Sequence, residues 1–166
     1  MKIELVNRLV MFLSLLLAQV LILNHVHLMG VGTPLLYVYF AITFRRNFPK
    51  WLLLVSCFML GLFIDIFSNT PGLASCVMTI AGLVQAYLMN FIAPRDSAAD
   101  LAASIKTLGF SRFLALSGII TLLYCLLFFA LETFNFFDML MWLARSLTSA
   151  VLTMVLMLAI ESVRSK

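Results

Sequence analysis

Long apolar runs fill this sequence, and Lys and Arg gather in every second gap between them. A membrane-spanning helix needs about 20 mostly apolar residues, because the hydrocarbon core is about 30 Å thick and a helix rises about 1.5 Å per residue. Six runs are expected to span: residues 8–24, 29–44, 51–68, 72–92, 113–131 and 136–160. Lys2 and Arg8 open the first run. Arg45, Arg46 and Lys50 lie between the second and third, Arg95, Lys106 and Arg112 between the fourth and fifth, and Arg164 and Lys166 end the sequence. The other three gaps hold no Lys or Arg; at those ends stand His25, His27, Asp65, Glu132 and Asp138. Basic loops stay on the cytoplasmic side. Six spans with both termini inside put all of these basic segments there, whereas losing one span would scramble the pattern.

Composition agrees. Hydrophobic residues make up 64% and charged ones 11%, against about 45–50% and about 25% in soluble domains. So few charges cannot cover a water-exposed surface. The net charge of +4 is read through its placement beside a bilayer, and nucleic acid is not an expected partner. Cys57, Cys76 and Cys125 lie inside apolar runs; an odd, unpaired set argues against a disulfide framework or zinc site and for packing. The short basic start and leucine-rich run look like a signal peptide, but no small-x-small cleavage site precedes a polar region, so a retained first helix is expected. The whole reads as one all-α transmembrane domain, 1–166, with a cytoplasmic loop at 93–112. In that loop, Ser97 to Leu108 is expected to form an interfacial helix capped by Ser97, with Asp100 in its first turn and Leu101, Ile105 and Leu108 on one face. The second run is short for a span, and Thr33-Pro34 suits a helix start.

Charges at membrane depth are costly and face protein or water. Asp65 falls near the outer end of the third run, sharing a face with Cys57, Gly61 and Ser68 at spacings of four, four and three. It has four readings: a partner buried in the bundle, a cap for the turn that follows, a carboxylate reaching water, or a catalytic or proton-relay group. Arg145 is about nine residues into the sixth run, about 13 Å at the helical rise, beside Ser146, Ser149, Ala150 and Thr153. It either pairs with Asp65, Glu132 or Asp138, or snorkels to the interface. The fourth run carries a stripe of Ser75, Thr79, Gly82, Gln85 and Asn90 that reads as a packing face. His25 and His27, two apart, share no helical face, and neither a metal nor a cofactor is expected. No P-loop, nucleophile-elbow or zinc-protease motif occurs, so no enzyme is expected.

The stretch Gly61-Leu-Phe-Ile-Asp65-Ile-Phe-Ser68-Asn-Thr-Pro71-Gly72 resembles the signature of the rod shape-determining protein MreD family. That signature is a Gly-apolar-apolar-apolar-Asp helix end, a short polar stretch and a Pro/Gly turn opening the next helix. Length, six spans, inside termini and the "TPLLYVYF" run are also similar. The resemblance implies a fold similar to the substrate-binding subunit of energy-coupling-factor transporters. It further implies a non-enzymatic scaffold in the bacterial inner membrane that takes part in regulating cell shape within the peptidoglycan elongation complex. The implied partner is an MreC-like membrane protein and, through it, a RodA-type glycosyltransferase, a class-B penicillin-binding transpeptidase and MreB. Gly61, Asp65, Ser68, Pro71, Gly72 and Arg145 are the candidate structural and partner-binding residues. A small-molecule uptake subunit of a vitamin transporter would share the implied fold, with His25, His27 and Tyr37 as conceivable lining.

Overall fold

The computed structural model describes residues 2–22, 33–93, 101–133 and 139–164. Among these the regular structure is all helical. α1 covers Lys2–Leu17 and continues as a π-helical turn over Ala18–Ile22; α2 is Val38–Ile42, α3 Lys50–Ser68, α4 Leu73–Ile92, α5 Ile105–Leu108, α6 Phe110–Thr133 and α7 Met139–Arg164. α3, α4, α6 and α7 are long and apolar enough to cross a membrane. Their outward faces are greasy: Ile66, Phe91, Leu140 and Val155 are all exposed. That surface suits lipid, since large exposed apolar areas are unusual on soluble proteins.

The main difference from the sequence reading is at 29–44. Its described portion, from Thr33 onward, contains only the five-residue α2, which rises about 7.5 Å. Everything from Pro34 to Ile42 is buried, with Val38, Ala41 and Ile42 fully so. A run of this length is too short for an upright span, and Pro34 lacks the N–H that a helix interior needs. Irregular backbone at membrane depth is tolerated only where protein covers it and satisfies its polar groups.

Side chains from three helices supply those bonds. Gln19 donates to the Pro34 carbonyl at 3.0 Å and accepts from the Leu36 N–H at 3.1 Å. Ser149 accepts from the Thr33 N–H at 3.1 Å, and Thr153 from the Leu35 N–H at 3.0 Å. Gln85 donates to the Phe44 carbonyl at 3.1 Å. Gln85 of the α4 stripe and Ser149 and Thr153 of the α7 stripe therefore cradle this segment. One consequence is measurable. Thr153→Val keeps the side-chain shape but leaves the buried Leu35 N–H without its acceptor, a loss of about 1–3 kcal/mol. We expect a lower unfolding midpoint for this variant in detergent, and no change for Thr148→Val, whose hydroxyl bonds only within its own exposed helix face.

The basic residues gather at one end. Arg8, Arg45 and Arg164 line one pocket there, and the Arg46 N–H donates to the Leu101 carbonyl across the bundle. The loop helix is shorter than the expected 97–108: α5 has four residues and is capped by Ser104, in a capping box with Thr107. Ser97 and Asp100 lie outside the described residues. Leu108 is buried, with Leu101 and Ile105 packed against the core.

Candidate functional site: the corner between α3 and α4

α3 ends and α4 begins within four residues, and Asp65 organises both ends. Its main-chain carbonyl accepts from the N–H groups of Asn69 and Thr70, closing α3. Asn69 is left-handed, with φ 56°, a conformation that Asn tolerates better than most residues. Gly72, with φ 83°, then turns the chain into α4 at a conformation that glycine adopts without steric cost. Pro71 beside it is exposed, and Ser68 is half-buried.

The Asp65 carboxylate points back into the start of α4. Oδ1 accepts from the Ala74 N–H at 2.8 Å and the Thr70 hydroxyl at 3.1 Å; Oδ2 accepts from the Ser75 N–H and hydroxyl, both at 2.9 Å. A carboxylate offers about four lone-pair sites, and four donors fill them. The first N–H groups of a helix have no partner within it, and the helix dipole favours negative charge there. Asp65 thus caps α4 from the neighbouring helix, although only 4% of its surface is exposed.

Gly61 permits the approach. A Cβ built on it would lie 2.4 Å from Ser75 Cα and 2.7 Å from both the Ala74 carbonyl oxygen and the Ser75 nitrogen. Two backbones can come this close only where one has no side chain. Further along the α3–α4 contact, Gly82 leaves room for side chains instead: a Cβ there would lie 2.8 Å from Leu53 Cδ2 and 3.0 Å from Cys57 Sγ. Cys57 and Cys125 are buried packing residues, Cys76 is exposed, and all three are free thiols. Among the described residues no group of His, Cys, Asp and Glu could hold a metal ion.

Of the six candidates, Gly61, Asp65, Ser68, Pro71 and Gly72 form this corner. Arg145 is not brought to it. The four donors to Asp65 come from Thr70, Ala74 and Ser75, so Asp65, one of several partners open for Arg145, is not the one it meets. Arg145 is half-buried on α7, where its charge attracts Glu132 on α6; its Nε and the Trp142 Nε1 one turn earlier are buried and make no hydrogen bond. Asp138, His25 and His27 lie outside the described residues. Tyr37 is fully buried, edge-on to Tyr124 with their hydroxyls bonded.

The sequence reading missed Glu161. It ends the stripe Ser149, Thr153, Met157, Glu161, each four apart, and is fully buried. It accepts from the Tyr39 hydroxyl, from Ser104 Oγ at 2.7 Å and from the Ile105 N–H at 3.2 Å. Arg164 donates to the Tyr39 hydroxyl at 3.3 Å. Glu161 thus ties α2, the loop before α6 and α7 together at the basic end. Following the α7 stripe one more turn past the apolar run would have found it.

Outside the Asp65 corner, α3 and α4 wall a surface groove of about 810 Å³. Its lining combines the apolar Phe58, Leu62, Ile66 and Ile80 with the small Gly72, Ser75, Cys76 and Thr79. Neither a family model, nor a curated protein, nor a solved structure matches this chain.

Proposed function

We propose that the chain is a non-enzymatic membrane scaffold of the MreD kind. On this reading it sits in the bacterial inner membrane with both termini in the cytoplasm, and it docks a single-span MreC-like protein within the peptidoglycan elongation complex. The RodA-type glycosyltransferase, the class-B penicillin-binding transpeptidase and MreB are reached through that partner. The observation that carries the reading is the groove over the α3–α4 corner. Its lining mixes large apolar residues with small ones, and small residues are what let membrane helices approach closely. The polar groups around it support the same view. Asp65, Thr70, Ser75 and Thr79 all bond within the corner, so the corner presents a shaped surface rather than a poised acid, base or nucleophile.

The test is co-purification from membranes. The tagged chain should retain an MreC-like protein, and Cys76→Trp, which adds bulk at an exposed groove-lining position, should lose it while the chain remains folded. Failure to retain MreC, together with normal cell shape on depletion, would sink the proposal.

A further inference from the structure

The end of the bundle opposite the basic residues holds two charges that the scaffold reading does not use. α6 ends at Thr133 and α7 begins at Met139, and the two helices pack together. Glu132 is the last residue but one of α6, and Arg145 lies six positions after Met139, about 9 Å along the axis. α6 has 24 residues and α7 has 26, about 36 and 39 Å, so both exceed a hydrocarbon core of about 30 Å. Centred on that core, α7 places Arg145 about 5 Å inside its boundary, and α6 places Glu132 in the headgroup layer. Arg145 is half-buried and Glu132 exposed. Their charges attract, but no ion pair or side-chain hydrogen bond joins either of them to a described residue. Asp65, the other described acid at this end, is taken up by its four donors. Arg145 Nε and the Trp142 Nε1 one turn earlier are buried donors without an acceptor.

We propose that this end of α6 and α7 binds the zwitterionic headgroup of a phosphatidylethanolamine lipid, with the phosphate on Arg145 and the ammonium on Glu132. An unpaired charge within a membrane helix is costly and marks a ligand or partner site. Phosphate answers it, because the N–H fork of a guanidinium matches phosphate oxygens. An anionic headgroup would satisfy Arg145 but set a second negative charge beside Glu132. Phosphoethanolamine carries its ammonium two carbons from the phosphate, so one molecule meets both charges. An ammonium also has three donors to offer a carboxylate, whereas the quaternary ammonium of phosphatidylcholine has none. Trp142 suits the same depth, since Trp gathers at membrane interfaces, and its orphaned indole N–H shows that this layer is short of acceptors. For the acyl chains, α7 offers an exposed apolar edge at Leu143, Leu147 and Val151, spaced four apart.

The full chain in a neutral detergent is the sample, with native mass spectrometry and thermal midpoint as readouts. Dioleoylphosphatidylethanolamine should be retained at one copy per chain and raise the midpoint saturably. Dioleoylphosphatidylglycerol and dioleoylphosphatidylcholine should each be held about fivefold more weakly, the share of one charge contact. Glu132→Lys should invert the order, so that phosphatidylglycerol is held about fivefold better than phosphatidylethanolamine; a merely structural role for Glu132 would not invert it. Arg145→Gln should lose all three lipids, and Arg112→Gln, at the basic end, should change none. Glu132 is exposed, so its variant tests the site even where Arg145→Gln fails to fold. Equal retention of the three lipids by the parent chain, or retention of none, would overturn the proposal. So would an unchanged order in Glu132→Lys, or unchanged retention in a folded Arg145→Gln chain.

Discussion

Asp65→Ala should unfold at a much lower temperature than the parent chain, with a loss on the order of 4 kcal/mol. The figure follows from the groups it strands. The N–H groups of Ala74 and Ser75 donate to the carboxylate at 2.8 and 2.9 Å, and each buried donor left without an acceptor costs about 1–3 kcal/mol. Asp65 is 4% exposed, so water at the corner does not replace it. The Thr70 and Ser75 hydroxyls can turn to other acceptors and contribute less. Asp65→Asn keeps one acceptor oxygen but aims an amide N–H₂ at donors, so about half the loss should remain. Thermal unfolding in detergent, followed by helical circular dichroism, ranks the three chains. Equal midpoints would mean that α4 does not depend on this cap.

Gly61→Ala should be nearly as damaging, by about 3 kcal/mol, at the upper end of overpacking costs in well-packed cores. The added carbon would meet backbone rather than a yielding side chain, with Ser75 Cα at 2.4 Å. α3 and α4 must therefore separate. That moves the two N–H groups that Asp65 caps, so the Gly61 and Asp65 losses should be less than additive, as expected for residues sharing partners. Gly118→Ala is the control. Its new Cβ would meet only Met154 Cε at 3.6 Å, and Ala is favoured over Gly inside a helix by roughly 0.5–1 kcal/mol. The control should be neutral or stabilising; a Gly61→Ala chain as stable as the control would show that α3 and α4 are not closely apposed.

How much was legible in the sequence depended on how local the cause was. α3, α4, α6 and α7 follow from runs of apolar residues, and their ends follow from Asn69, Gly72 and the basic gaps. The Asp65 corner is also local: Gly61, Asp65, Pro71 and Gly72 lie within twelve positions, and capping the following turn was among the readings open for Asp65. The short buried segment from Thr33 to Phe44 was not legible as such. Its backbone is held by Ser149 and Thr153, more than 110 positions away, and periodicity carries no signal for a bond between elements. The α4 and α7 stripes were visible, but what they faced was not. Glu161 was hidden for a related reason, because a charge just past an apolar run reads as solvated until the fold brings Tyr39 and Ser104 against it. For Arg145 the sequence left Asp65, Glu132 and Asp138 open as partners, because it could not show that the neighbouring helix start had already filled the Asp65 carboxylate.

That last point is the central one. Asp65 holds the α3–α4 corner together, and the groove over the corner is what a partner would read. A pair of double-mutant cycles on unfolding free energy tests it directly. Asp65→Asn combined with Ser75→Ala should show a coupling of about 1 kcal/mol or more, because the two side chains share a hydrogen bond. Asp65→Asn combined with Arg145→Gln should be additive to within about 0.5 kcal/mol, as for residues without shared partners. Coupling with Arg145 and additivity with Ser75 would contradict the account, making Asp65 one half of an ion pair rather than the cap of α4.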